Sequence, residues 1–262
     1  RIAMLASAVI VIPALVARYK LADSPLFEQL KRREQLARMP SFSVFRKHAL
    51  PIFLLATIAA FQLMDSVVTG TYMLSFMHIA GIPLTMAATI IFVSRIGAVL
   101  GVLASGPLAD LCKRRVVAYF AIGLTTLLSW PLVLAILGKH IGLAMILQFV
   151  IVLFGLGLMH GLAPILTAES FPTKFRYSGA GISFSLAGML GGMLTPSILA
   201  KLIGGDVLNN WYFVPVVYAV FCAAAMLALM FLPETRDLKL EDLDRDESGS
   251  ALGVKPNVST DL

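Results

Sequence analysis

Charge is the scarcest property of this chain. Only 14% of its 262 residues are Asp, Glu, Lys or Arg, against roughly 25% in soluble globular domains, which excludes a surface built for water. Cysteine is almost missing: Cys112 and Cys222 are the only two, too few for a disulfide framework. Cys112 falls in a loop and Cys222 in an apolar run, and both read as inert thiols. Four histidines show no metal-ligand spacing. There is no nucleophile–base arrangement, and the glycine-rich stretches lack the strand–turn–helix setting that binds nucleotides. Neither enzymatic activity nor a cofactor is expected.

What is present is long apolar sequence. Stretches at 51–76, 84–109, 116–138, 141–166, 178–202 and 212–232 follow a shorter run at 2–17. About 20 apolar residues cross a bilayer as a helix, and each of the six reaches that length. Those at 116–138 and 212–232 carry no charge at all. The mean hydropathy of +0.87 agrees. In lipid every backbone N–H and C=O must bond within its own segment, so the spans are expected to be helical. A secretory signal would be single and followed by polar sequence.

The net charge of +6 reflects orientation in the membrane, and no nucleic acid partner is expected. Eight Lys and Arg follow the opening run, Lys113, Arg114 and Arg115 follow the second long span, Lys174 and Arg176 the fourth, and four more lie in the tail. The other side has only Lys139 and Lys201. Positive loops stay cytoplasmic, which places segment 18–48 and the tail in the cytoplasm.

The chain starts at Arg1 and its opening run is short, so it is expected to begin partway through a helix, as a fragment or truncated product of something longer. Within 18–48, Ser24-Pro25 with Glu28 reads as a helix start. After Leu232-Pro233 the tail turns polar, and from about residue 245 it has too little apolar content to fold alone. Gly97…Gly101, Gly157…Gly161 and Gly188…Gly192 keep the four-residue spacing that lets helices approach closely. They read first as packing surfaces, and second as smooth faces along which helices slide. Pro131, Pro164, Pro196 and Pro215 are expected to weaken their helices locally.

Three stretches resemble one family. Gly106-Pro-Leu-Ala-Asp110-Leu-Cys-Lys113-Arg114-Arg115 resembles the G-x-x-x-D-x-x-G-R-R loop of the major facilitator superfamily. Glu169-Ser-Phe-Pro172-Thr173-Lys-Phe-Arg176 resembles the E-x-F-P-T-x-x-R segment of its sugar-porter and metabolite:proton symporter branches. Pro233-Glu234-Thr235-Arg236 resembles the P-E-T signature after the last helix, and Asp23-Ser24-Pro25-Leu26-Phe27 with Thr71-Tyr72-Met73 is similar to the symporter branch. Lys113 departs from the pattern by standing where it has glycine, and a left-handed turn there would suit Lys poorly.

The resemblance implies an all-α membrane fold: a C-terminal six-helix bundle (helices 7–12) at 49–236, built as 3+3 inverted repeats. The end of helix 6 would lie at 1–17, a cytoplasmic central loop at 18–48, and a disordered tail at 237–262. The implied function is half of a secondary carrier in the plasma membrane, moving a small polar metabolite with protons by alternating access. The bilayer and a missing N-terminal half would be its partners. A sugar porter is the alternative within transport, although Phe61-Gln62-Leu63-Met64-Asp65 lacks the paired glutamines usual there. A transport-inactive scaffold or sensor, or a non-functional fragment, is the alternative outside it. Gly106, Asp110, Arg114, Arg115, Glu169, Arg176, Glu234 and Arg236 would form a cytoplasmic gate of opposite charges, against the plainer reading that they only set topology.

Within the spans, Asp65, Arg95 and His160 are the ionisable residues at depth. Such groups are functional candidates by default. Asp65 reads as a proton-coupling carboxylate or as a hydrated acid near an outer vestibule. Arg95 reads as a fork for a substrate carboxylate or as a structural Arg on helix carbonyls. His160 reads as a buried, satisfied His or a proton relay. Gln62 and Tyr72 share the helix of Asp65 and are candidate ligands for a polar substrate. Counting from Pro51 and Pro83 puts Asp65 in the outer half and Arg95 roughly 10 Å further inward at 1.5 Å per residue, so a direct pair is not favoured.

Overall fold

Apolar side chains on every side and a self-satisfied backbone turn the long runs into helices. In the computed structural model, the residues described are 13, 45–46, 48–171, 175–203, 206 and 208–232. The opening helix end, nearly all of segment 18–48, Pro172 and Thr173, Glu234, Arg236 and the tail lie outside them. All six long spans are helices: α1 (Ala49–Ile79), α2 (Leu84–Leu111), α3 (Arg114–Leu137), α4 (Ile141–Thr167), α5 (Arg176–Ile203) and α6 (Phe213–Phe231). The helix of α4 continues to Ser170. No strand occurs among the described residues, and each helix is long and apolar enough to cross a membrane. The chain is therefore an all-α, multi-pass membrane protein.

Consecutive helices run in opposite directions, so α1, α3 and α5 start at one end of the bundle. That end carries Arg114, Arg115 and Arg176 and is called the basic end below. At the opposite end, α1 and α3 are closed by the same device. Ile82 N–H bonds the Met77 carbonyl and Gly81 N–H the His78 carbonyl; His140 and Lys139 repeat the pattern on Ala135 and Ile136. Each closure needs one left-handed residue, supplied by Gly81 (φ +86°) and, against the usual preference, by Lys139 (φ +56°). At the basic end Lys113 has φ −61°. It simply precedes the first turn of α3, so lysine in place of the family's glycine costs no backbone strain.

α1 is the most enclosed helix, buried along most of its length, whereas α2 and α5 leave most of their surface uncovered. Ile52, Phe61, Met64, Met73, Phe76 and Met77 of α1 are fully buried, and α1 packs on α4, α5 and α6. Exposed Phe92, Leu103, Leu127 and Phe231 form a surface suited to lipid rather than water.

Glycines make the closest helix approaches. Gly101 lies against Leu153 and Gly157, Gly157 against Ala98, Gly97 against Phe149 and Gly161 against Ser105, so four of the six expected glycines build the α2–α4 seam as packing surfaces. The third pair differs. Gly191 meets Ala60 of α1, while Gly188 and Gly192 have nothing within 4 Å. The face turned to α1 is one residue out of register with the spacing motif.

Helix irregularities also fall at glycines more than at prolines. Three π-helical turns interrupt the spans, at Val68–Tyr72 in α1, Val152–Leu158 in α4 and Gly188–Met193 in α5, and each contains glycine. Only the third lies just before a proline, Pro196. Pro131 and Pro164 are carried inside continuous helix. Pro215 sits in the first turn of α6, where its missing N–H costs nothing.

Candidate functional site

The polar residues of α1 gather around its π-helical turn. Asp65, one turn before it, is fully buried, and its Oδ1 accepts a hydrogen bond from the Tyr218 hydroxyl of α6 at 2.6 Å. Asp65 Oδ2 has no hydrogen-bond partner among the described residues. It lies against Gly155 of α4, where an added Cβ would stand 2.9 Å from Oδ2 and 2.8 Å from the Thr125 methyl of α3. Glycine at 155 is what lets the carboxylate reach this depth. The turn is held by side chains: Thr69 donates to the Asp65 carbonyl at 2.7 Å, and Gln148 Nε2 of α4 donates to the Thr69 carbonyl at 2.8 Å. Every carbonyl displaced from a regular helix needs such a partner when buried.

Arg95 of α2 comes to the same turn from the other side. Its guanidinium rests on Gly70, where an added Cβ would be 2.7 Å from Nη2, and the side chain is half-buried. Among the described residues it makes no ion pair. No hydrogen bond joins it to Asp65, whose Oδ1 is held by Tyr218. The expected depths are corrected here: Arg95 reaches α1 at Gly70, five residues beyond Asp65 and further from the basic end, not nearer to it. α1 runs on to Ile79, beyond the expected 76, and the long Arg side chain spans the remaining offset.

Gln62, fully buried, is hydrogen-bonded through Nε2 to His160 Nδ1 of α4. His160 is exposed, which corrects its reading as a buried His. Tyr72 is half-buried, stacks on Phe76 with ring centroids 6.1 Å apart, and keeps a buried hydroxyl without a partner among the described residues. Arg95 and His160 thus present charge or polarity at the bundle surface, with Gln62, Asp65 and Tyr218 behind them.

At the basic end, Arg114 at the start of α3 forms an ion pair with Glu169 at the end of α4. Arg115 donates to the Met230 carbonyl of α6 at 2.9 Å, and Tyr119 donates to Met226 at 3.2 Å. Gly106 has nothing within 4 Å; Asp110 is exposed near the end of α2 and Arg176 opens α5. Charged residues from four helix ends therefore meet one face, tied across α3, α4 and α6.

Tyr218, Thr125, Gln148 and Gly155 were not singled out from the sequence. Tyr218 and Thr125 sit in charge-free spans, and Gly155 lies two residues from a glycine motif that drew the attention. A phenol and a neutral amide inside otherwise apolar spans are the signals that could have found Tyr218 and Gln148.

Comparison with known proteins adds the following. The Major Facilitator Superfamily model matches residues 1–196. The chain is similar to the inner membrane metabolite transport protein YhjE of Escherichia coli K12, with 29% identity over 250 residues, covering 92% of this chain and 55% of that protein. It is also similar to the shikimate transporter of Escherichia coli K12, with 25% identity over 240 residues, covering 90% of this chain and 55% of that protein. The chain thus spans about half the length of the curated relatives it matches.

Proposed function

The chain belongs to the Major Facilitator Superfamily, a family of membrane transporters, and from that premise we propose that it is the C-terminal half of a proton-coupled carrier for a small carboxylate or zwitterion. In carriers of this kind the substrate sits near the midplane between two halves that rock around it. The observation that carries the reading is Arg95. A half-buried guanidinium laid on a glycine in a π-helical turn, without an ion pair among the described residues, is costly to keep in a membrane span unless it serves a ligand. Its planar fork suits a carboxylate. Gln62, His160 and Tyr72 supply hydrogen-bonding groups for the rest of a polar substrate, and Asp65 supplies the proton site. Likeness to a metabolite transporter and a shikimate transporter supports the substrate class.

The test is counterflow in the full-length carrier against a panel of organic acids, betaines and sugars. Organic acids or betaines are expected to exchange, and exchange of sugars alone would overturn the reading. Arg95→Lys keeps the charge but loses the fork. Charge-assisted hydrogen bonds contribute about 1.5–3 kcal/mol, so apparent affinity for the exchanged acid is expected to fall roughly 10- to 100-fold. Unchanged affinity removes Arg95 from the site.

The basic end is read as cytoplasmic from its charge, and Arg114–Glu169 as part of a gate that clamps helix ends in one state. Both side chains are mostly covered, so removing one partner leaves the other charge poorly solvated. Glu169→Gln is expected to slow uptake severalfold while the amount of inserted protein, read by membrane immunoblot, stays constant. Wild-type uptake in that variant would leave these charges as topology determinants.

A further inference from the structure

The carboxyl of Asp65 is held by a residue that no charge marks. Building on the proton-coupling reading above, we propose that Tyr218 is the positioning partner of the proton site. Its hydroxyl occupies Oδ1, so the proton loads and leaves at Oδ2, between α3 and α4. The 2.6 Å separation is within the range of a hydroxyl donating to a carboxyl oxygen. A phenol has one proton to donate, and this one is committed. Oδ2 is the atom left over, fully buried and without a partner among the described residues.

Its surroundings suit a proton. Thr125 is fully buried and its Oγ1 likewise has no partner among the described residues. The Thr125 methyl and Asp65 Oδ2 border the same gap, which Gly155 keeps open. On loading, a proton from a hydronium ion forms the Oδ2–H bond as an O–H bond of the hydronium breaks, and the carboxylate becomes neutral. On unloading that O–H bond breaks, the proton returns to water, and the anion keeps the Tyr218 hydrogen bond. The Tyr218 ring is itself fixed, edge-on to Phe61 of α1 with centroids 6.3 Å apart and planes at 69°.

Few other groups compete. Arg95 of α2 is the guanidinium resting on the same π-helical turn, at Gly70. His160 of α4 is bonded to Gln62, one turn along α1 from Asp65, and Tyr72 is the other titratable group on α1 near the turn. Residues 116–137 of α3 and 177–200 of α5 contain no Asp, Glu, Lys, Arg or His. Tyr218 also connects the last span to the first, whereas Arg115 and Tyr119 tie that span to α3.

The test is infrared difference titration of the purified full-length protein in nanodiscs, with no substrate and the proton as the only probe. Acidification is expected to raise a carboxylic C=O band that Asp65→Asn removes; no such band at any pH would overturn the proton-coupling reading itself. In Tyr218→Phe, which keeps the ring packed on Phe61, the band should persist, move to higher wavenumber as the donated hydrogen bond is lost, and titrate with a displaced midpoint. A band that stays where it was would overturn the role of Tyr218 while leaving Asp65 as the proton site. Should that variant not fold, the wild type decides. With isotopically labelled tyrosine, a tyrosine band must change in step with the carboxyl band, and a tyrosine spectrum indifferent to the titration overturns the proposal.

Discussion

Asp65→Asn in the full-length carrier is expected to abolish proton-driven accumulation while leaving counterflow of the same acid in place. The amide is nearly the same size and still accepts the Tyr218 hydrogen bond through its carbonyl oxygen, so the packing around α1 survives. What disappears is the exchangeable proton. Net uptake that depends on the proton gradient should collapse to equilibration, whereas exchange of substrate against substrate moves no net proton and should continue. Burial makes the effect large. A carboxylate taken out of water costs several kcal/mol unless it is paired or neutralised, and Asp65 is fully buried with a single donor on Oδ1. Uphill uptake intact in Asp65→Asn, measured with an imposed pH gradient in proteoliposomes, would show that coupling resides elsewhere.

The second large effect concerns assembly. Gly101→Val should prevent stable folding. A Cβ at Gly101 would be driven into the backbone of α4, with the Leu158 nitrogen at 2.8 Å and the Gly157 Cα at 2.9 Å. Backbone cannot swing aside as a flexible side chain does, so α2 and α4 would have to separate along their whole seam. Overpacking costs about 1–3 kcal/mol where the surroundings relax, and here relaxation would also loosen the contacts at Gly97, Gly157 and Gly161. Gly142→Ala is the matched control: nothing lies within 4 Å of that position. Thermal unfolding in detergent is expected to show Gly101→Val aggregated or strongly destabilised and Gly142→Ala at wild-type Tm. A Gly101→Val protein as stable as the control would mean that the seam is not the constraint it looks.

The spans were legible because lipid leaves a chain so little choice. The expected stretches at 84–109 and 141–166 match α2 and α4 to within a few residues, since hydrophobic length alone fixes them. Asp65 and Arg95 stood out for the same reason: a charge in an apolar run is expensive and therefore visible. Their relative depth was misjudged because residue counting ignores side-chain reach and the extra length of α1. Tyr218 and Gly155 stayed hidden, one because a phenol passes as apolar, the other because its contribution is the atom it lacks. The three π-helical turns carry no pattern that periodicity detects, as they depend on contacts such as Gln148 to the Thr69 carbonyl. Gly188 and Gly192 show the opposite failure, where a spacing motif was present and the contact went to Gly191.

The paired closures at Gly81 and Lys139 have a mechanical corollary. At the turns that join α1 to α2 and α3 to α4, the last turn of the first helix is closed at the same pole by two nested backbone bonds. These tips must then travel as stiff units, and bending has to be absorbed further along, where the interrupted turns loosen the ladder of regular bonds. Motion in this bundle would thus be concentrated around the buried acid and its tyrosine, which is where a proton could steer it.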